Sequence, residues 1–252
     1  MSSRLLDAEL EELKELRLAT EKTNSPLSVQ VNSLLDEDQL KAYLKQLSGH
    51  LQSANHMVAS SIFIKRYAFV PVIFLYAMSA WNRKLDISFS NISIESDEQK
   101  GLWLPKFYFK DFQSEETGAD RDEWRRKCLA ALFQDHLSPL INHVSRTAKV
   151  SKLILWENIA IYLFWLYETV LIKEGTSEEV KARANKDFQY LIFEAPGSLF
   201  GDYHNNPLVK YYNERVFLQN AQKSIRPRNT CCLAYLTKGQ KHCSSCPHNC
   251  RR

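Results

Sequence analysis

The chain has 252 residues and a formal net charge of +4, and 44% of its residues are hydrophobic while 25% are charged. This composition is ordinary for a globular protein and excludes a wholly disordered or fibrous chain. The length suffices either for one large domain or for a body with a small appendage. We therefore expect a packed core.

The N-terminal residues 1–17 combine acidic side chains with leucines at helical spacing. A signal peptide would instead begin with a basic region followed by an apolar run, so none is expected. The most apolar stretch, Tyr67–Trp81, is shorter than the roughly 20 residues that span a bilayer. We expect it to form a core helix, with at most peripheral membrane contact, in a cytoplasmic protein.

Helical periodicity dominates the first third of the chain. Residues 3–20 predict an amphipathic helix, and Asp36 opens a second helical region that continues to Trp81. Proline lacks an amide donor and clashes with the preceding turn, so Pro71 should end or kink the helix that contains it. Two shorter helices fit this region as well as one long helix.

The period then changes to the alternation of strands. Hydrophobic residues alternate with polar ones over 85–89 and 92–94, which predicts two strands paired around Ser90 and Asn91. A second alternating run follows over 107–112. Together these runs predict a small antiparallel sheet of two to four strands.

Helical patterns return in the second half of the chain. They cover residues 120–144 with a break at Pro139, then 151–173, and then a helix that opens at Thr176-Ser177 and runs to about Phe193. A loop-like stretch follows Pro196. The predicted fold class is therefore α+β, with a predominantly helical body, a small antiparallel sheet and a short C-terminal module.

Two features of the helical body contain side chains that could take part in chemistry. Glu157 and Glu168 lie three turns apart on one face of an apolar helix, where we expect them to face solvent or to be neutralised by a cation. Cys128 follows Trp124 at helical spacing and should be a buried small hydrophobe. Neither feature predicts a catalytic group.

Cysteines are concentrated at the C-terminus. The chain has six, and five of them lie within its last 22 residues: Cys231, Cys232, Cys243, Cys246 and Cys250. Because a cytosolic chain keeps its thiols reduced, such a cluster favours metal or redox chemistry over structural disulfides. An odd number of thiols also argues against complete pairing.

The spacing of these cysteines narrows the choice of metal. A Cys-x2-Cys turn such as Cys243–Cys246 chelates either zinc or the iron of an iron-sulfur centre. The adjacent pair Cys231-Cys232 is less suited to one zinc ion, because neighbouring side chains on an extended backbone point apart. A [2Fe-2S] cluster has two irons that each need two thiolates, so it is favoured over zinc, while a zinc site and incidental thiols remain open. His242 and His248 are interpreted as surrounding or solvent-facing groups.

The C-terminal motif carries a family resemblance through Arg228, Thr230, Cys231, Cys232, Leu233, Tyr235, Cys243, Cys246 and Pro247. Together they resemble the C-terminal signature of FhuF-like ferric siderophore reductases. The resemblance implies that Cys231, Cys232, Cys243 and Cys246 ligate a [2Fe-2S] cluster, which passes one electron to iron(III) held by a siderophore of hydroxamate or citrate-hydroxamate type. Cys250 lies outside this four-cysteine pattern.

Charge is also unevenly distributed around the cysteines. From Arg215 onward the chain has no Asp or Glu but eight basic residues. Cations near a cluster raise its reduction potential, and their field attracts an anionic ferric chelate or an acidic donor protein. We expect Arg226, Arg228 and Lys238 to form one wall of the substrate site.

The sequence also bears on the source of the electron and on the division of the chain into domains. The sequence has no glycine-rich phosphate loop, so a ferredoxin, a flavodoxin or a small reductant should supply the electron. Residues 1–225 are interpreted as the siderophore-binding body and 226–252 as the cluster module. The alternative is a zinc-stabilised adaptor or nucleic-acid-binding protein without redox turnover, although only the C-terminal tail has the charge that nucleic acid requires.

Overall fold

The computed structural model describes residues 2–96, 102–218 and 222–250. Its helices are α1 (Asp7–Lys14), α2 (Glu37–Leu51), α3 (His56–Tyr67), α4 (Phe69–Trp81), α5 (Arg121–Leu132), α6 (Ser138–Ala148), α7 (Lys152–Trp165), α8 (Glu178–Gln189) and α9 (Pro247–Cys250). Its strands are β1 (Ser2–Arg4), β2 (Leu18–Ala19), β3 (Val29–Gln30), β4 (Arg83–Leu85), β5 (Ile92–Glu95), β6 (Lys106–Phe109), β7 (Gln113–Glu116), β8 (Val216–Leu218) and β9 (Lys223–Ile225).

Side-chain caps define several helix starts. The Asp36 carboxylate accepts hydrogen bonds from the backbone N–H groups of Asp38 and Gln39, so α2 begins where the sequence predicts. Ser177 caps α8 in the same way. Such caps satisfy amides that have no partner within the helix and each contributes about 1 kcal/mol. In contrast, the helix predicted over residues 3–20 is only α1, flanked by β1 and β2.

The long apolar segment is two helices, α3 and α4, which meet at Ala68. The break lies three residues before Pro71, in agreement with the prediction that this proline interrupts the helix. Two stretches, His56–Trp81 and Lys152–Val170, are long and apolar enough to cross a membrane, but 89% and 56% of their most apolar windows are buried inside the body. The first stretch is the centre of the core.

The break predicted at Pro139 is instead a wide π turn. Residues Phe133–Leu137 form this turn, and it joins α5 directly to α6, in whose first turn Pro139 lies. The missing amide of proline is tolerated at the start of a helix, and the extra residue of a π turn absorbs the distortion. Similar π turns, Leu166–Val170 and Tyr190–Glu194, extend α7 and α8.

The strands form three small sheets, with the orders β1-β7-β4, β2-β6-β5-β3 and β8-β9. The hairpin predicted around Ser90 and Asn91 is wrong, because β4 pairs with β7 while β5 pairs with β6. The β5–β6 register places Ile92 opposite Phe109 and Ile94 opposite Phe107, so buried side chains determine the pairing. One pair, β2 with β6, is parallel. The α+β class is confirmed.

The C-terminal segment lies against the helical body. The Ser61 hydroxyl in α3 donates to the Cys232 carbonyl over 2.8 Å, and the Lys238 amide donates to the carbonyl of Leu51 at the end of α2. The segment is therefore in contact with two helices of the body. The division into a body of residues 1–225 and a module of residues 226–252 remains an interpretation.

Candidate iron-sulfur site

The cysteine segment contains little regular structure. After Ile225, its described residues form only a single 3-10 turn, Ala234–Leu236, and the short helix α9. Leu233 has a φ of 62°, in the left-handed region that side chains other than glycine seldom adopt. The amide of Leu233 donates to the Cys231 sulfur over 3.4 Å. This bend folds the chain directly after the adjacent cysteine pair.

The bend and the following turn gather four thiols into two pairs. The Sγ atoms of Cys231 and Cys246 lie 3.6 Å apart, and the thiols of Cys232 and Cys243 share a hydrogen bond. Two thiolates bound at about 2.3 Å to one tetrahedral metal would be separated by roughly 3.7 Å, so the first pair already has the spacing of a shared ion. Each pair joins one residue of Cys231-Cys232 to one residue of Cys243–Cys246.

His242 is the histidine closest to the thiols. Its Nδ1 lies 3.4 Å from the Cys246 sulfur, and its ring stacks on Tyr235 with 4.0 Å between centroids. The candidate ligand atoms of Cys231, His242 and Cys246 all lie within 4.8 Å of one another. His248 is exposed. The imidazole of His242 is thus placed to donate a hydrogen bond to a thiolate or to complete a zinc site.

Two cations make the environment of Cys232 favourable for a thiolate. The ammonium nitrogen of Lys65 lies 3.4 Å from the Cys232 sulfur. The hydrogen bond with Cys243 and the charges of Lys65 and Arg228 together lower the pKa of the Cys232 thiol to about 4, despite its burial. Burial raises the pKa of Cys231 to about 11. The same hydrogen bond raises the pKa of Cys243, so this pair holds one proton between its two sulfurs, with the negative charge on Cys232. Because thiolates are the form that binds metal, the Cys232 sulfur is the one already in that form.

Buried polar residues of α7 hold the start of the segment. The Glu157 carboxylate accepts hydrogen bonds from the backbone amides of Asn229 and Thr230 over 2.6 and 2.7 Å, and from the Thr230 hydroxyl. It also lies 3.6 Å from the Arg228 guanidinium, and both side chains are only 1% exposed. Glu157 therefore fixes the backbone immediately before Cys231.

The neighbouring Asn158 links the segment to α3. Its side-chain oxygen accepts from Arg228 over 2.7 Å, and its amide donates to the carbonyl and hydroxyl oxygens of Ser61. Sequence reasoning did not identify Ser61, Lys65 or Asn158. The available signal was the presence of polar residues inside the most apolar helices, where an unpaired polar group would be costly.

The predicted substrate-binding residues lie in different surroundings. Arg228 is 4% exposed and serves the internal contacts just described. The Arg226 guanidinium pairs with Glu168 over 2.5 Å and stacks on Tyr212 at 4.0 Å. Lys238 is exposed. Arg226 and Arg228 are therefore neutralised by carboxylates, whereas Lys238 is open to solvent. The role of these three residues in substrate binding stays a prediction.

Glu157 of α7 and Glu168 of the π turn that extends it are both neutralised by arginine, which is one of the two outcomes expected from the sequence. Glu157 pairs with Arg228, and Glu168 pairs with Arg226 and with Arg215, the latter over 2.7 Å.

Cys128 is fully buried, as predicted, and burial raises its pKa to about 12. Cys128 is consequently a core residue.

Comparison with known families favours an iron-sulfur centre over a zinc site. Residues 61–223 match the family described as ferric iron reductase FhuF-like transporter, over more than half of the chain. The chain belongs to the FhuF-like ferric iron reductase family. Residues 228–248 match the FhuF 2Fe-2S C-terminal domain, a range that includes the four paired cysteines and ends before Cys250. No curated protein matches the chain.

The donor set fits the cofactor of this FhuF-like protein. A [2Fe-2S] cluster requires four terminal ligands divided equally between two irons, and the structure provides two thiol pairs. Thiolate is also the ligand that iron-sulfur centres use. The match to the 2Fe-2S C-terminal domain, together with this donor set, confirms the predicted [2Fe-2S] cofactor.

Proposed function

We propose that this protein is a cytoplasmic ferric siderophore reductase, in which a [2Fe-2S] cluster supplies one electron to chelated iron(III) and iron(II) is released. The observation that supports this function is the gathering of Cys231, Cys232, Cys243 and Cys246 into two thiol pairs within a FhuF-like chain. These four cysteines are our proposed ligands. In the overall reaction, the reduced cofactor loses one electron and iron(III) gains it.

The chemistry of the chelate explains why one electron suffices for release. Hydroxamate and citrate oxygens are hard donors that hold iron(III) much better than iron(II), so reduction weakens the complex. No proton-transfer group is needed for this step. The protein has to bind the chelate, hold the thiolates and favour the reduced state, and the cation of Lys65 beside Cys232 contributes to the last of these.

The electron itself comes from outside the chain in this proposal. A one-electron donor such as a ferredoxin, a flavodoxin or a small reductant would restore the reduced state after each turnover. Lys238 is exposed and can attract an anionic chelate or an acidic donor by direct contact. Arg226 and Arg228 would act on either partner mainly through their field, because both guanidinium groups are engaged internally.

A zinc-stabilised adaptor or nucleic-acid-binding protein is the second candidate, and one observation favours it. Cys231, His242 and Cys246 lie close enough together to hold a single ion. Such a protein would contain one zinc per chain and no visible chromophore.

The cytoplasmic location is also part of the proposal. It is supported by the burial, within the body, of 89% and 56% of the two apolar windows that could span a membrane.

The function is tested by iron(II) release. The chain is purified without oxygen, its metal content is measured, and it is incubated with a panel of ferric siderophores, a ferrous trap and a chemical reductant. We expect two irons per chain and release of iron(II) that exceeds the rate given by the reductant alone. One tightly bound zinc, with no catalysed release, would establish the second candidate instead.

A further inference from the structure

A groove of about 280 Å³ borders the cysteine site, between the helices of the body and the C-terminal segment. We name it the aromatic groove and define it by Lys65 of α3, Phe69 of α4, Ile161, Tyr162 and Trp165 of α7, and Arg228, Cys243 and Ser245 of the C-terminal segment. One proposed cluster ligand, Cys243, thus lies in its wall. Lys65 also contacts another, Cys232.

The floor of the groove is aromatic and partly open to solvent. The rings of Phe69 and Tyr162 have centroids 4.9 Å apart, and those of Phe69 and Trp165 are 6.1 Å apart. Trp165 is 37% exposed, at the end of a helix whose central residues 155–160 are all buried. An exposed tryptophan beside other aromatic rings is typical of a surface that binds a ligand through packing.

Three cations surround this floor. Lys65 lines the groove, the Arg17 guanidinium stacks on Phe69 at 4.7 Å, and the Arg66 guanidinium donates to the Tyr162 hydroxyl over 3.3 Å. Among the residues that the structure describes, no carboxylate forms an ion pair with any of the three. Burial lowers the pKa of Arg17, and the neighbouring positive charge of Arg66 lowers it further. The groove therefore has a positive charge that an anion can neutralise.

From these contacts we infer that the aromatic groove binds the iron(III) chelate and prefers chelates with negative charge. This inference rests on the proposed function. The aromatic floor packs against the carbon skeleton of the chelate, the cations face its free carboxylates, and Cys243 brings the iron-sulfur site to the bound metal. At about 280 Å³ the groove lies near the lower limit of small-molecule sites, roughly 300 Å³, so it holds one side of a siderophore and leaves the other in water.

Binding can be separated from reduction with gallium(III), which has the charge and coordination chemistry of iron(III) but no accessible divalent state. Calorimetry on the cluster-loaded full chain measures the Kd of gallium(III) aerobactin, an anionic citrate-hydroxamate chelate, and of gallium(III) ferrichrome, which is neutral. The visible absorption of each variant confirms that its fold and cluster are intact. Wild-type protein should bind both, and the anionic chelate more tightly.

Two variants address the two components of the groove. Trp165→Ala should weaken both chelates about tenfold by removing packing area, whereas Arg66→Gln should weaken the anionic chelate about tenfold and the neutral one less than about twofold. Leu153→Ala, at an exposed apolar position of the same helix, and Lys45→Gln, at an exposed lysine of α2, are the matched controls and should change neither Kd.

Unchanged Kd values in both groove variants, with wild-type binding intact, would place the chelate elsewhere and overturn the inference. Binding of the wild type to anionic phospholipid vesicles but to neither gallium chelate would also overturn it, and would assign the groove to a membrane surface. In both cases catalysed iron(II) release from the iron(III) chelates would leave the proposed function standing. Loss of that release in the wild type is the separate result that removes the function.

Discussion

The ammonium nitrogen of Lys65 lies 3.4 Å from the sulfur of Cys232, so a cation of the helical body directly contacts the cysteine segment. A positive charge at this distance stabilises an added electron on the metal site. Lys65 also lines the aromatic groove. Lys65 therefore contacts both the cysteine site and the groove that we propose for the chelate.

Removal of this charge should make the protein a stronger reductant that is harder to reduce. We expect Lys65→Met to lower the midpoint potential by on the order of 60 mV or less, since Lys65 is half-buried and partly screened by solvent. A potentiometric titration monitored by visible absorption measures this shift. Lys45→Met is the control and should keep the wild-type potential; an equal shift in both variants would exclude a local effect of Lys65.

The buried pair of Glu157 and Arg228 should be critical for stability. Glu157→Ala removes the only carboxylate with which Arg228 pairs in the described chain and leaves the Asn229 and Thr230 amides without their acceptor. The loss of one partner of a buried pair costs roughly 3–5 kcal/mol. We expect a decrease of that size in the free energy of unfolding by urea, together with reduced cluster content.

Glu168→Ala is the matched comparison, because it removes a carboxylate from the same helix. Its partners are Arg215, whose side chain is 45% exposed, and Arg226, whose side chain is 14% exposed, so the charges left behind are less buried than that of Arg228 at 1%. The expected cost is about 1 kcal/mol. If Glu157→Ala were no more destabilising than Glu168→Ala, Glu157 would not be an anchor of the cysteine segment.

Single cysteine substitutions should divide the thiols into two groups. Cys231→Ser, Cys232→Ser, Cys243→Ser and Cys246→Ser should each lose most of the visible absorption and iron, since each removes a proposed ligand. Cys128→Ser should retain two irons per chain because Cys128 lies in the core, and Cys250→Ser should retain them because the 2Fe-2S domain match ends at residue 248. Iron retention in any of the first four variants would remove that residue from the ligand set.

His136 should make stability depend on pH. It is 3% exposed, its Nε2 lies 2.7 Å from the Tyr67 hydroxyl, and burial lowers its pKa to about 4. Because its ordinary pKa is about 6.5, its contribution is complete above pH 6.5 and decreases by up to about 3 kcal/mol as the pH falls towards 4. The unfolding free energy of the wild type should therefore fall over this range.

The comparison of His136→Gln with the wild type isolates this effect. The variant should lose stability at neutral pH but show a smaller decrease between pH 6.5 and 4.5, whereas His56→Gln, at an exposed position, should follow the wild type. Any acid lability of the cluster is common to all three proteins and cancels in the difference. Parallel curves for wild type and His136→Gln would assign the acid sensitivity to other groups.

The sequence was informative where one residue type has one dominant effect. Asp36 and Ser177 mark helix starts because their side chains cap free amides, and Pro71 marks the division of α3 from α4. The cysteine spacing and its neighbours indicated the cofactor. These signals are local, so they do not depend on the arrangement of the remaining chain.

Long-range arrangement could not be predicted in the same way. The strand run 85–89 was equally suited to pairing with 92–94, and only burial of Ile92 and Ile94 against Phe107 and Phe109 selects β6 as the partner of β5. Likewise, the basic residues of the tail looked free, but Arg226 and Arg228 meet carboxylates from α7, which is distant in sequence. The aromatic groove forms only after three helices and the tail come together.

The central claim is tested most directly by a single turnover. Cluster-loaded protein is reduced with dithionite, freed of excess reductant under anaerobic conditions, and mixed with iron(III) aerobactin and a ferrous trap while visible absorption is recorded. The account predicts that the oxidised spectrum returns as one iron(II) appears for each cluster. An unchanged reduced spectrum and no iron(II), in protein that a small one-electron dye still reoxidises, would contradict it.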